Sequence, residues 1–286
     1  MLSKFFSKKW EEATAPLRII EVFIASVGIL VIRYSIQDDT ETLIVAIIFV
    51  MTVEIIFAVI RWRLRKKRIR IVNSIIGFLN NCEPDNYIRT WQAVYDKCGR
   101  DKNLRYSLFH NLASAYVDKG DFTTAIKILK DAESELKSPT DKTTLTHAQV
   151  LITASLCDTM YLARNVEGTM FYYRQLIWFN NLKAPEYVAN MVVRNLMIMN
   201  NYFDIENGNY ELALNAFIGD FNEARITENL RVMVYSQLSM ARIYYKLGDY
   251  DNLDRCLDFV AQNGKNTYMA HITYGDYEQL WNRGQL

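Results

Sequence analysis

Two apolar stretches near the start of the chain constrain it more than any other feature of its 286 residues. Leu43 to Ile60, LIVAIIFVMTVEIIFAVI, is eighteen residues long and carries one ionisable group, Glu54. Ile19 to Ile36, IIEVFIASVGILVIRYSI, is a second stretch of the same length. At about 1.5 Å per residue, a helix of that length reaches roughly 27 Å, close to the hydrocarbon thickness of a bilayer. Only Gln37 to Thr42 separates the two. The spacing predicts two membrane helices, about 19–36 and 43–60, joined by a tight turn. A buried helix of a soluble protein would account for either stretch alone, but not for the tandem.

Charge sets the expected orientation. Lys4, Lys8 and Lys9 precede the first stretch, with Arg18 at its edge. Arg61, Arg63, Arg65, Lys66, Lys67, Arg68 and Arg70 follow the second, seven bases in ten residues without an acid. The turn between them holds Asp38, Asp39 and Glu41. Short loops rich in Lys and Arg stay cytoplasmic, so both termini are expected in the cytoplasm. The compact anchor fits a bacterial inner-membrane protein. The basic run is expected to act as a stop at the inner face and to hold anionic lipid, at about 1 kcal/mol per base near the surface. A cleaved signal peptide fits less well, because no small-x-small site follows Ile36 and the second stretch would go unexplained. Leu2, Phe5, Phe6 and Trp10 recur at roughly helical spacing, as in a short interfacial helix or a frayed terminus.

Two acids interrupt the apolar stretches. In an antiparallel hairpin, Glu21 and Glu54 lie at similar depth in the cytoplasmic leaflet. Intramembrane carboxylates are costly and often functional. Snorkelling to the interface, pairing with Arg18 or Arg61, and contact with a partner's membrane helix are the readings open here. Ala25, Ser26 and Gly28 form a small-residue stripe suited to close helix contact.

Composition divides the chain near residue 70, into an anchor (1–70) and a second domain (71–286). Twelve Lys+Arg and seven Asp+Glu fall in the first part, leaving 21 and 25 beyond, a net charge of −4. Nucleic-acid binding by the second part is therefore not expected, since phosphate contacts need a basic face. Cys82, Cys98, Cys157 and Cys256 are far apart and form no CxxC pair, so each reads as a small buried residue. His110, His147 and His271 are equally scattered. No HExxH, GxSxG, P-loop or dinucleotide turn occurs. The expectation is a non-enzymatic chain without cofactor or metal.

Past residue 70 the chain repeats. Residues 111–129 read NLASAYVDKGDFTTAIKIL and residues 240–257 read MARIYYKLGDYDNLDRCL. Aligning Gly120 with Gly248 superposes Ala113 on Ala241, Tyr116 on Tyr244, Asp121 on Asp249, Phe122 on Tyr250 and Leu129 on Leu257. Gly208, Asn209, Tyr210, Ala213 and Phe217 repeat the pattern, and Arg164, Asn165 and Val166 stand where glycine, aspartate and the aromatic stood. The four turns lie 44, 44 and 40 residues apart, a period that indicates stacked helical units. A first helix with apolar groups such as Leu112, Ala115 and Tyr116 ends at a glycine able to take a left-handed conformation. Asp121, Asn209 or Asp249 then caps the second helix. Ala125 and Ala213 let the two helices approach, and stacking buries what one pair cannot. Asn86-Tyr87 marks a further turn before Trp91 and Val94, and Thr267 to Arg283 reads as a final capping helix.

This pattern resembles the tetratricopeptide repeat over roughly residues 75–285. The resemblance rests on Leu112, Ala113, Tyr116, Gly120, Phe122 and Ala125, and again on Ala241, Tyr244, Gly248 and Tyr250. The period exceeds the family's usual 34 residues, so longer helices or loops are expected. The implied architecture is all-α: a transmembrane hairpin followed by a solenoid of about four to five helix pairs. The resemblance also implies a protein or peptide partner, held in the groove lined by the first helix of each pair. Groove candidates are Ser107, His110, Ser114, Asp158, Tyr161, Asn195, Tyr202, Tyr235, Arg242 and Tyr245, a mixed polar and aromatic set suited to peptides. For each, packing on the next repeat or plain exposure is the competing account. The set lacks the Lys and Asn arrangement with which some members clamp a C-terminal carboxylate. MFYYRQLIWF, residues 170–179, is expected to be core, apolar on both faces and buried between neighbours. The function expected is a membrane-anchored scaffold, and the alternative is a membrane-tethered peptide or ligand sensor.

Overall fold

The computed structural model describes residues 20–34, 36, 39–96, 102–136 and 144–272. Helix α1 covers residues 20–34 and α2 covers Asp39–Asn80. There follow α3 (Pro84–Tyr95), α4 (Lys102–Asp118), α5 (Phe122–Ser134), α6 (His147–Leu162), α7 (Val166–Phe179) and α8 (Glu186–Glu206). The last elements are α9 (Tyr210–Ile226), α10 (Leu230–Leu247), α11 (Tyr250–Asn263) and the 3-10 helix η1 (Tyr268–His271). No strand occurs among the described residues. The chain divides into two compact units, Met1–Ser74 with Gln92–Asp101, and Ile75–Trp91 with Lys102–Leu286.

In the first unit α1 and α2 run antiparallel. The Arg61 guanidinium reaches Glu21, forty residues earlier, and the Phe49 ring lies over Gly28, where a side chain would collide with it. Apolar side chains along both helices face outward, Phe23 at 67% exposure and Ile55 at 61%. Among the described residues one helix, α2, is long and apolar enough to cross a membrane, with a stretch of mean hydropathy 3.0. The expectation of two spans is thus met at one helix only. The described part of α1 comprises residues 20–34. The helix that carries the second apolar stretch does not stop at residue 60. Between Arg61 and Ile76 there is neither glycine nor proline, so nothing local ends the helix, and it runs through the basic run to Asn80. The boundary expected at residue 70 falls inside this helix. The turn is shorter than expected, since α2 already begins at Asp39. The expected interfacial helix over residues 1–12, the bases Lys4, Lys8, Lys9 and Arg18, and Cys98 lie outside the described residues.

The second unit is built on one backbone device used repeatedly. At Gly120, Gly208 and Gly248 the chain takes φ of 78°, 80° and 72°. Arg164 takes the same conformation at φ 60°, as the alignment of the turns predicts. Each time the next amide closes onto a carbonyl five residues back: Asp121 on Tyr116 at 2.9 Å, Asn165 on Met160 at 2.9 Å, Asn209 on Asp204 at 2.8 Å and Asp249 on Tyr244 at 3.0 Å. This Schellman closure satisfies carbonyls that a helix end leaves bare. The residue after the left-handed position then caps the next helix. Asp121 accepts from the Thr124 amide at 3.0 Å, Asn165 from Gly168 at 2.8 Å and Asp249 from Asn252 at 3.2 Å. Asn209 departs from the expectation: it makes no cap bond, and its amide donates back to Asp204.

The same device appears where the alignment placed none. Glu228 takes φ 53° between α9 and α10, with Asn229 capping Val232, so this turn joins one pair to the next. Cys82 takes φ 58° between α2 and α3, and Glu83 closes onto Phe78 at 2.7 Å. The expected turn at Asn86-Tyr87 is therefore misplaced: both residues lie inside α3. Pro84 starts that helix, since a proline at the first helical position forfeits no intrahelical bond. Tyr87 is fully buried instead of marking a turn.

Helix α4 packs on α5 and α6, and α6 on α7 and α8, leaving Ala113, Ala125, Leu129, Leu156, Tyr172 and Leu176 in one core. A second core joins Ala213, Phe217, Ala241, Ile243 and Leu253, and it also contains Cys82. Each buried Leu, Ile or Phe among them contributes about 1.5–3 kcal/mol by leaving water. Cys82, Cys157 and Cys256 are buried thiols, as expected. The aromatic run of α7 is only half core. Tyr172, Leu176 and Phe179 are buried, but Phe171 is 57% exposed and Ile177 and Trp178 also reach the surface. The outer face of α7 is not covered by a neighbouring helix among the described residues. Of the expected C-terminal capping helix, residues 267–272 form a cap residue and the short η1. The rest lies outside the described residues.

Candidate functional site: a cavity between the first helices of the pairs

The second unit closes on itself. Phe122, at the start of α5, meets the Tyr268 ring of η1 edge-on with centroids 5.7 Å apart, and Lys265 pairs with Glu83 at 3.0 Å. Asp118, the last residue of α4, accepts two hydrogen bonds from Arg231 of α10, Nε to Oδ2 at 2.7 Å and Nη2 to Oδ1 at 2.9 Å. The Tyr235 hydroxyl adds a third at 2.9 Å. Asp118 has no exposed surface, and these three donors satisfy it. The fourth pair has thereby returned to the first.

The return borders a partly open cavity of about 240 Å³. His110 of α4, Ser155 and Asp158 of α6, Asn195 and Tyr202 of α8, Asp220 of α9, and Arg231 and Tyr235 of α10 face it. The Ser155 hydroxyl donates to the Leu151 carbonyl at 2.6 Å, so it must accept from His110 Nδ1, 2.5 Å away. That assigns the Nδ1–H tautomer and leaves Nε2 as an acceptor. Burial pushes the His110 imidazole down to about 4, with Arg231 and His147 acting the same way, so the ring is neutral at pH 7. Burial pushes the Asp158 carboxyl up to about 6, against the pull of Arg231. Asp158 Oδ1 is completely enclosed and has no hydrogen-bond partner among the described residues.

A second, smaller space of about 80 Å³ lies beside the first and shares Tyr202 and Tyr235 with it. Tyr161 stacks on Tyr202 there, with centroids 4.7 Å apart, and donates to Glu206 at 2.9 Å. Arg242 bonds both Tyr161 and Glu206 and is 2% exposed. Arg164 stands 3.7 Å from the same Glu206 carboxylate.

Of the groove candidates, His110, Asp158, Asn195, Tyr202 and Tyr235 thus come together around one cavity, and Tyr161 and Arg242 around its neighbour. Ser107, Ser114 and Tyr245 are half-buried and line neither. Asp118, Ser155 and Arg231 escaped the reading of the sequence. The helical stripe that contains His110 and Ser114 reaches Asp118 after four more residues. Steps of three and four from Asp158 and Tyr235 reach Ser155 and Arg231 in the same way.

On α2, Arg61 is held by two carboxylates, Glu21 at 2.6 Å and Glu54 at 3.4 Å, the pairing with Arg61 that was one of the readings open for these acids. Arg63, Arg65, Lys66 and Lys67 are exposed, and Lys66 lies over the Trp62 ring at 4.5 Å. The side chain of Arg68 lies outside the described residues. Among the described residues no three His, Cys, Asp or Glu converge as a metal site would require.

A family model of the tetratricopeptide repeat matches residues 107–142, which take in α4 from Ser107, the turn at Gly120 and the whole of α5. No curated protein and no solved structure matches the chain. With its all-helical second unit and recurrent turns, the chain is a helical-repeat protein, similar to the tetratricopeptide repeat over residues 107–142. Such repeats generally mediate protein–protein interaction.

Proposed function

We propose that the chain is a non-enzymatic scaffold or adaptor, anchored in a membrane by α1 and α2, whose repeats bind a partner protein or peptide at the cytoplasmic face. The observation that carries the binding role is the convergence of His110, Asp158, Asn195, Tyr202 and Tyr235, from four successive first helices, on one cavity. The outward aliphatic faces of α1 and α2, and the pairing of Arg61 with Glu21 and Glu54, support the anchor. Charges paired inside the bilayer cost far less than isolated ones. In this reading the basic run from Arg61 to Arg70 meets anionic lipid, and a bacterial inner membrane is the setting. A further membrane helix pairs with the hairpin beside Glu21 and Glu54, and no nucleic acid is bound. Tethering raises the effective concentration of the partner near the membrane.

The test is purification of the full chain in mild detergent, with any stoichiometric partner identified by mass spectrometry. Loss of that partner in Asn195→Arg, with helicity retained, supports groove binding. Absence of a stoichiometric partner overturns the scaffold. The closure of α10 onto α4 favours a second reading, a sensor that binds a short peptide by itself, and a direct titration separates the two.

A further inference from the structure

Asp158 is the anomaly of the cavity. A buried carboxylate oxygen without a hydrogen-bond donor is expensive, and native proteins rarely leave one so. Three of the donors around the cavity are engaged elsewhere. Arg231, the cation in the wall, is committed through two nitrogens to Asp118. The Tyr235 hydroxyl donates to Asp118 as well, and the His110 Nδ1 proton goes to Ser155. Counting charge around the cavity, Arg231 and Asp118 cancel and His110 is neutral. Asp158 and Asp220 remain, the latter moderated by the Arg194 side chain of α8.

We propose that the cavity takes a single alkylammonium or guanidinium cation, the head of a lysine or arginine side chain or of a free amine. Asp158 is its counter-charge and Tyr202, Tyr235 and Phe217 are its walls. This rests on the groove reading above and names the chemistry that the groove selects. Size agrees: 240 Å³ corresponds to about eight waters at roughly 30 Å³ each, enough for one long side chain and too little for a folded surface. Aromatic faces attract a desolvated cation, and Arg231 already stands 4.9 Å from the Tyr235 ring centroid. An anion would meet two carboxylates with the guanidinium already engaged. For a metal ion the cavity offers two carboxylates that no third ligand of that class joins among the described residues.

The test is calorimetric titration of the full chain in detergent at pH 7.5. The probes are N-acetylated, C-amidated tripeptides Gly-X-Gly with Lys, Arg, Gln or Glu at the centre, and 1,5-diaminopentane. The Lys or Arg peptide is expected to bind with at least a tenfold advantage over Gln and Glu. Asp158→Asn is expected to remove that advantage while raising the melting temperature, since it deletes an unpartnered buried charge. The paired gain and loss would not follow from a purely structural residue. Equal binding of diaminopentane and the Lys peptide assigns a small amine, and preference for the peptide assigns a partner's side chain. Lowering the pH from 7.5 to 5 is expected to weaken the cationic probes as Asp158 takes a proton. The other titratable groups that face it are His110 and Asp118 from α4, Tyr202 from α8, Asp220 from α9, and Arg231 and Tyr235 from α10. Charge-blind binding, preference for the Glu peptide, no binding by any probe, or an unaltered Asp158→Asn profile each overturns the proposal. None of these decides groove binding itself, which is read separately from retention of the partner in Asn195→Arg.

Discussion

Asp118 at the end of α4 and Arg231 in the first turn of α10 are joined through two parallel hydrogen bonds of 2.7 and 2.9 Å across 113 residues of chain. A buried carboxylate held this way belongs to both ends of the repeat array at once. It locks the fourth pair against the first, and it takes out of play the positive charge in the wall of the cavity. The shape of the cavity and its net charge therefore depend on the same pair.

Removing one partner of that pair leaves the other charge buried and alone. Asp118→Ala is expected to cost about 3–5 kcal/mol, read from chemical denaturation of the second unit's transition in the full chain. The double variant Asp118→Leu with Arg231→Leu is expected to recover most of the loss, because two apolar groups require no partner. Equal destabilisation of the single and double variants would show that the pair does not close the array.

Asp158 and His110 give the pH dependence of stability opposite slopes. The Asp158 carboxyl is pushed up to about 6, so between roughly pH 4 and 6 the folded state holds a proton that the unfolded chain has released. That contribution falls as pH rises and is fully lost above about 6. The His110 imidazole is pushed down to about 4, so the unfolded chain holds the extra proton between roughly pH 4 and 6.5. That contribution is complete above 6.5 and is lost as pH falls. Wild-type stability is expected to be nearly flat from pH 4.5 to 6 with respect to these two groups. Asp158→Asn should turn the profile upward with pH and His110→Asn downward, each by about 1–3 kcal/mol over the window. The other titratable groups around them are Asp118, His147, Tyr202, Asp220, Arg231 and Tyr235. Parallel profiles for the three proteins would sink the assignment.

Gly248 stands at φ 72° with no atom within 4 Å of where a side chain would begin, so the constraint there is backbone and not space. Gly248→Val is expected to cost about 1–3 kcal/mol, the usual range for a residue held in a sparsely populated region. Arg164 already occupies the same conformation, and its guanidinium shares Glu206 with Arg242. Arg164→Gly is expected to change stability by less than about 1 kcal/mol, backbone relief offsetting the lost ion pair. An unchanged melting temperature in Gly248→Val would place the strain of the fourth turn elsewhere.

The orientation proposed for the anchor is checked by labelling intact cells with a membrane-impermeant thiol reagent. Thr40→Cys, at an exposed position in the first turn of α2, is expected to react, and Leu286→Cys to be protected. Cys82, Cys157 and Cys256 are buried, which keeps their background low. Labelling of Leu286→Cys from outside would reverse the topology.

Much of this fold is written in short windows of the sequence. A left-handed residue, an amide five positions from its acceptor and a capping side chain one residue on lie within a single turn. Gly120, Arg164, Gly208 and Gly248 were therefore legible, and so was the run of α2 up to its basic end as an apolar helix. Where the local signal was ambiguous the reading slipped: Pro84 sets the start of α3 more firmly than Asn86-Tyr87 marks a turn. Glu228 passed unseen because it lacks the glycine that flags a left-handed position.

What local residues could not decide was how successive pairs accumulate rotation. Each pair contributes a small turn of the stack, and only their sum brings Arg231 to Asp118, Lys265 to Glu83 and Tyr268 to Phe122. That sum buried Arg242 beside Glu206, left Phe171 and Trp178 of α7 at the surface, and narrowed the groove to a partly open cavity around Asp158. The sequence by itself determined the helices, their stops and the stripe of side chains along each first helix, because these are interactions within a few residues. Which of those side chains meet, which are neutralised and which remain without a partner was decided by tertiary closure alone, because burial and pairing depend on atoms from distant parts of the chain, 113 residues away for Asp118 and Arg231.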